Sequence, residues 1–401
     1  MKSVAIIGTF DTKGAEFKYI KDLIEEQGLG TFCIHTGVFE PLFTPDVTNA
    51  EVAAAVGANI SEIVERRDRA TATDVLSRGV EKLLPKYYEE GRFDGVISIG
   101  GSGGTSLATP AMRRLPVGVP KIMVSTMASG NVEQYVGTSD VVMFPSVVDA
   151  EGLNEISMRI FSNAVNAVVG MVKNYRELPD SHKPLIAATM FGVTTPCVKT
   201  AKAYLEDQGY EVLVFHATGA GGKCMESLVE AGYIKGVLDI TTTEWCDQLY
   251  GGILKAGEHR LEAAGKKGVP QVVSVGALDM VNFGAYDTVP KENLSRNLYK
   301  HNPTVTLMRT TVEENIGLGN VIAEKLNMAK APVALMLPLK GVSGIDAEGQ
   351  PFYGPKEDKA LFDTLRAKIG KNVELIEMDN NINDDDFAIA AAKKLIALIN
   401  Q

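Results

Sequence analysis

The residues of this chain suited to chemistry are gathered in short stretches rich in glycine and hydroxyls. Gly100, Gly101, Ser102, Gly103, Gly104 and Thr105 follow the apolar run Asp94–Ile99 and lead into a helix-compatible segment, Ser106 to Arg114. A strand that breaks at glycines and resumes as a helix leaves several backbone N–H groups pointing one way, at the positive end of the helix dipole. That pattern predicts an anion site, with the phosphates of a nucleotide as the expected ligand. A tight strand-to-helix turn without a ligand is the alternative. Gly8, Thr9, Asp11, Thr12 and Lys13 lie at the end of the first apolar run and just after it. Their hydroxyls and backbone suit phosphate oxygens, Lys13 suits charge neutralisation, and Asp11 suits Mg²⁺. The same residues also make an ordinary N-capping turn. Neither the P-loop pattern G-x-x-x-x-G-K-[ST] nor G-x-G-x-x-G is present, so no standard nucleotide fingerprint applies.

Ser125, Thr126, Met127, Ser129 and Gly130 close a further apolar run and offer hydroxyls to phosphate or sugar. Asp140 adds a second carboxylate for Mg²⁺. Around Ser102 the sequence also reads G-x-S-x-G, the context of a nucleophile elbow, which Asp140 or Asp149 and then His182 would complete as a serine hydrolase triad. His182 falls in an expected linker, and no HGGG-type oxyanion segment is present, which weighs against that reading. In the second half, His216, Asp239, Glu244 and Asp279 stand at or just past expected strand ends, where side chains serve as acid, base or metal ligand. Gly221 belongs to a second glycine turn, Thr218–Lys223. Asn282 shares the loop Gly276–Gly284 with Asp279, and Arg309 suits a carboxylate or phosphate clamp. A lone histidine at a strand end is more often hydrogen-bonded structure than a catalyst. Arg66, Arg67 and Arg69 read as a solvated helix start.

These stretches need strand ends to hold them. Val4–Gly8 reads as a strand, Phe17, Ile20, Leu23 and Ile24 as one face of a helix, and Thr31–His35 as a second strand. This βαβ beginning implies a parallel sheet. Asp94–Ile99, Pro120–Thr126 and Val141–Phe144 supply further strands, and a helix over Asn154–Tyr175 closes the half. Arg176–Pro184, polar with two prolines, is the expected linker. The pattern then restarts as a repeat. Glu26–His35 lies on Asp207–His216, Asp94–Ile99 on Lys235–Ile240, and Val119–Ile122 on Val269–Val272. Thr304–Met308, Val333–Leu337 and Val373–Met378 continue the strands of the second half in kind. The expected fold class is α/β: two Rossmann-like domains with mostly parallel sheets, built by internal duplication. An N-terminal nucleotide-binding domain would cover 1–178 and a second domain 179–401. Gly100–Thr105 is matched in the second copy by Thr241–Cys246, so the glycine cradle after the third strand belongs to the first copy alone. Ligands in open α/β sheets lie at the carboxyl ends of strands. Facing sheets would therefore put a small anionic substrate in a cleft between the domains.

Composition narrows the class. The 401 residues carry a net charge of −10, which argues against nucleic acid or an anionic membrane surface as the main partner. No stretch of about 20 apolar residues is present to span a bilayer, and the N-terminus reads as a first strand rather than a signal peptide. Cys33, Cys197, Cys224 and Cys246 are scattered without a C-x-x-C pair. Reduced thiols in a cytoplasmic protein are the expectation.

Gly8–Lys13, Ile99–Thr105, Ser125–Gly130 and Gly137–Asp140, in that order, resemble the ATP-binding family of the tomato tobamovirus-resistance protein and its uncharacterised bacterial relatives. Gly276–Gly284 and Pro351–Gly354 extend the resemblance over nearly the whole chain. The resemblance implies two Rossmann-like domains, ATP with Mg²⁺ in the N-terminal one, and a homodimer. Plant members carry an additional TIM-barrel domain, so a separate TIM-barrel partner is expected here. Two functions remain open on these grounds: an ATP-dependent enzyme acting on a small anionic substrate, and a non-catalytic ATP-binding module that regulates a partner enzyme.

Overall fold

The computed structural model describes residues 1–176 and 183–401. The linker expected over Arg176–Pro184 falls mostly on 177–182, outside the described residues, and His182 with it. The chain separates into two compact units, Met1–Pro179 and Asp180–Gln401.

In the first unit, β1 (Ser3–Gly8), β2 (Gly30–His35), β3 (Gly95–Gly100), β4 (Lys121–Ser125) and β5 (Val142–Pro145) form one parallel sheet in the order β2-β1-β3-β4-β5. β1 and β3 are nearly continuous apolar runs because both faces of the sheet are covered. The helices Asn49–Ala54, Arg69–Glu89 and Ser102–Arg113 bury one face, through Val52, Val80, Leu84, Ala108 and Met112. The helices Gly14–Glu26 and Glu155–Lys173 bury the other, through Phe17, Ile20, Phe161, Val165 and Val169. A further helix, Ile60–Arg66, lies between Asn49–Ala54 and Arg69–Glu89. The winding reverses between β1 and β3, and a crevice opens at such a switch point, at the carboxyl ends of the strands.

In the second unit, β6 (Leu185–Met190), β7 (Glu211–His216), β8 (Ile234–Thr241), β9 (Gln271–Gly276), β13 (Val333–Pro338) and β14 (Val373–Met378) form a parallel sheet in the order β14-β13-β9-β8-β6-β7. Counted from its own first strand, it winds 2-1-3-4-5 as the first unit does, with one strand more. The strands matched by the sequence repeat are second with second, third with third and fourth with fourth. Helices Thr195–Asp207 and Asp385–Ile399 cover one face. Ala220–Glu230, Val312–Asn327 and Pro355–Lys368 cover the other.

Two expectations change here. Gly276–Gly284 is not a loop: β10 (Met280–Phe283) occupies its second half, and Asp279 and Asn282 are buried. The strand expected over Thr304–Met308 exists as β12 (Val305–Arg309) but does not continue the parallel sheet. With β10 and β11 (Leu298–Asn302) it makes a separate antiparallel sheet, β10-β12-β11, inserted between β9 and β13. Short connections permit antiparallel neighbours, whereas a parallel partner needs a long crossover.

Candidate functional site

The first unit places its glycines where β3 gives way to the helix Ser102–Arg113. Gly101 is the N-cap, no side chain caps the helix, and its first turn holds no acidic residue. The N–H groups of Ser102, Gly103 and Gly104 therefore face outward without a protein acceptor among the described residues. A Cβ on Gly100 would lie 2.9 Å from Gly104 Cα, and one on Gly104 would lie 3.2 Å from Ile99 O, so close backbone approach explains those two. Gly101 is looser, with Thr126 Oγ1 at 3.6 Å, and Gly103 meets only the end of a flexible side chain, Arg69 Nη2 at 3.4 Å. Packing does not demand glycine at these two positions.

Hydroxyls brace this turn. Thr105 Oγ1 donates to Gly101 O at 2.7 Å and lies 2.6 Å from Ser125 Oγ, which accepts from Met127 N at 3.0 Å. Both side chains are fully buried, so they hold β4 to the helix start rather than face a ligand. Thr126, Met127, Ser129 and Gly130 form the following 3-10 turn, with Thr126, Ser129 and Gly130 exposed at its rim. Arg69 brings its guanidinium to Gly103 with no ion-pair partner among the described residues. A cation beside a helix N-terminus is electrostatically unfavourable unless an anion joins them.

The turn after β1 is tied down in the same way. Thr12 Oγ1 and Thr9 Oγ1 are 2.9 Å apart, Lys13 Nζ donates to Ala150 O, and Asp11 accepts from Thr12 N at 2.8 Å and Phe39 N at 3.0 Å. His35 organises the loop above it. Its Nδ1 accepts from Phe10 N at 3.2 Å, Nε2–H donates to Phe39 O at 3.0 Å, and its ring stacks on Phe10. These bonds fix the Nε2–H tautomer and fold 36–43 back over the end of β1.

Asp140 does not join this site. It binds Lys121 Nζ at 2.6 Å and Gly118 N at 2.7 Å, and Lys121 opens β4, whose far end is Ser125. A residue that precedes a parallel strand sits at the amino edge, across the sheet from the cradle. Asp140 is thus removed both as a Mg²⁺ ligand at the cradle and as a triad partner for Ser102.

The second unit fills its glycine turn with its own carboxylate. Glu244 Oε1 accepts from Gly219 N at 2.7 Å and Gly222 N at 3.1 Å, at the start of helix Ala220–Glu230. Glu244 Oε2 takes Arg260 Nε at 2.7 Å. Arg260 also grips Asp239 with both Nη atoms and reaches Glu226 Oε1 at 3.3 Å. All but Glu226 are fully buried. Gly221 is needed for a different reason: its Cβ would fall 1.8 Å from His216 O. The His216 ring is exposed and packs beside Phe191.

Asp279 and Arg309 meet in another buried cluster. Arg309 Nη2 binds Asp358 Oδ1 at 2.8 Å and Asp346 Oδ1 at 3.3 Å, and its Nε donates to Phe352 O. Asp279 Oδ2 accepts from Ser343 Oγ at 2.8 Å, while its Oδ1 is buried without a partner. Burial pushes Asp279 up to about 6, Asp346 to about 7 and Asp358 to about 8. Asn282 lies apart, donating to Asp247 Oδ1 at 2.7 Å through its backbone. Of the residues singled out in the sequence, the structure brings together those of the first-unit turns, links Asp239 to Glu244, and links Asp279 to Arg309. Arg260 and His35 were missed, and Arg69 was read as part of a solvated helix start. Arg69 carried a signal, as a basic cluster next to a helix start; Arg260 lies outside any motif.

Among the described residues, no group of three or more His, Cys, Asp and Glu side chains is placed to hold a metal. No helix is long and apolar enough to cross a membrane.

Residues 2–177 match the family model for the N-terminal domain of an uncharacterised protein family, UPF0261, and residues 183–399 match its C-terminal domain. The chain belongs to the UPF0261 family. A UPF0261 protein of Clostridium tetani is 57% identical over all of both chains, and UPF0261 protein RA0729 of Rhizobium meliloti is 44% identical over 98% of each. The ToMV resistance protein Tm-1(GCR237) of Solanum lycopersicum is 47% identical over 82% of this chain and 45% of its own length. The resemblance read from the sequence motifs is thereby borne out at the level of family. A solved UDP-N-acetylglucosamine 2-epimerase from Rickettsia bellii aligns over 100% of this chain and 96% of its own, at 9% identity and a TM-score of 0.26.

Proposed function

We propose that the N-terminal unit of this UPF0261 protein binds the phosphates of a nucleotide, ATP with Mg²⁺, at the carboxyl ends of β1, β3 and β4. The observation that carries the reading is the uncapped start of helix Ser102–Arg113, with Gly101 and Gly103 beside it and the Arg69 guanidinium, which has no ion-pair partner among the described residues, at its flank. Outward N–H groups, a helix dipole and a nearby guanidinium together suit an oxyanion. Asp11 is the carboxylate on the adjacent β1 turn, and its oxygens retain lone pairs for Mg²⁺, which would offset phosphate charge. Thr9 is hydrogen-bonded to Thr12, Thr105 to Ser125, and Lys13 to the Ala150 carbonyl. That rigidity favours a binding module over an acid–base catalytic site, so the regulatory reading is the stronger of the two.

Calorimetric titration with MgATP tests the proposal. The native chain should bind, and Gly103→Val and Arg69→Ala should each weaken binding about 10-fold or more, the worth of one charge-assisted hydrogen bond. Unchanged affinity in both variants would refute the site. Single-turnover measurement on the same samples separates the two uses: binding without phosphate release is the outcome expected of a module.

A further inference from the structure

We infer that the glycine turn Thr218–Lys223 is an oxyanion-binding site whose resident ligand is the chain's own Glu244 carboxylate. The geometry is that of a captured anion. Two backbone N–H groups, from Gly219 and Gly222, converge on one oxygen, and the Arg260 Nε meets the other. The helix behind the turn, Ala220–Glu230, has no side-chain cap and no acidic residue in its first turn, so the incoming carboxylate supplies the charge that its dipole favours. Glu244 is nine-tenths buried or more and comes from a different element, the helix Glu244–Tyr250 that follows β8. The turn is shaped around it: a Cβ on Gly222 would lie 2.2 Å from Glu244 Oε2.

The sequence repeat explains why this carboxylate is there. Glu244 stands in the segment that replaces the first unit's glycine cradle, Thr241–Cys246 against Gly100–Thr105. All six positions of the cradle differ in the second copy, and the acidic residue among them fills the neighbouring turn after the second strand. Arg260 makes the arrangement tolerable, because a carboxylate out of water needs a paired cation and satisfied hydrogen bonds. Free phosphate or a nucleotide is therefore excluded from this turn, and the C-terminal unit takes no phosphate there. This stands independently of the nucleotide proposal; combined with it, the stoichiometry becomes one nucleotide per chain.

The test uses inorganic phosphate and acetate as probes. In the native full-length chain, amide resonances of Gly219 and Gly222 should not move as phosphate is raised at constant ionic strength. Movement there would overturn the inference. Movement confined to Ser102–Gly104 would support both proposals, and movement in neither place would sink the nucleotide site while leaving this one intact. In Glu244→Ala, thermal stability should drop and recover saturably with acetate or phosphate, while chloride at equal ionic strength restores less. Glu244→Gln, of the same size but uncharged, should lose amide protection at Gly219 and Gly222 without gaining rescue. Equal rescue by all three anions, or unchanged protection in Glu244→Gln, would refute the assignment.

Discussion

Asp358→Asn isolates a single proton in the C-terminal unit. Asp279, Asp346 and Asp358 surround one guanidinium, Arg309, and one positive charge cannot balance three buried negative ones. Burial holds the Asp358 carboxyl up at about 8, whereas an aspartate in an unfolded chain ionises near ~3.9. Across the interval between those values the folded state keeps a proton that the unfolded state has released. Stability therefore falls as pH rises through that interval and levels off above about pH 8. One retained proton is worth about 1.4 kcal/mol per pH unit, so from about pH 5.5 to 7.5 its share of the loss is about 3 kcal/mol. Asparagine imitates the protonated acid, and its Oδ1 can still accept from Arg309. The variant's advantage over the native chain should therefore grow by about 3 kcal/mol between about pH 5.5 and pH 7.5. Amide exchange in helix Pro355–Lys368, corrected for intrinsic rates at each pH, reads this locally and does not require the two units to unfold together. Parallel pH dependences, or a variant weaker at the higher pH, would show that the cluster holds no such proton.

Two further outcomes follow from the same packing. Gly222→Ala pushes a methyl into the Glu244 carboxylate and should cost about 2–4 kcal/mol by displacing a buried ion pair, while Gly192→Ala, with open space around its Cβ, should be nearly neutral; chemical denaturation of the two compares them. A fluorophosphonate probe should label Ser102 no faster than an exposed serine elsewhere, because Asp140 lies across the sheet from it; rapid labelling lost in Ser102→Ala would restore the hydrolase reading.

The sequence revealed the sheets best where burial on both faces removes ambiguity. β1 and β3 are uninterrupted apolar runs, and a run this short between glycines is too brief for a buried helix. β10 was hidden because Asn282 and the flanking glycines look like a loop; its strand exists through pairing with β12, which no local pattern encodes. The place of Asp140 was legible. In a parallel sheet, a residue before a strand stands at the amino edge and one after it at the carboxyl edge, so its position ahead of β5 already separated it from Ser125. Glu244 and Asp239 are another matter. Their position at strand ends was legible, but their partner Arg260 comes from an irregular segment between Tyr250 and Ala263, and only the folded chain shows that an apparent catalytic acid is already neutralised.

The two glycine turns make opposite use of one backbone device. Each presents N–H groups at a helix start that no side chain of its own helix caps. In the second unit, a buried carboxylate and an arginine complete the charge balance from within. In the first, the charged side chain that reaches the turn is Arg69, a cation beside the uncapped helix start. Each such helix-end contact is worth only about 0.3–1 kcal/mol, small enough for the fold to tolerate. An arrangement tolerated but not compensated within the chain is what a site for an external anion requires, since the ligand then gains what the free protein lacks. The contrast between the turns thus favours the first unit for the proposed phosphate site more sharply than either glycine pattern does alone.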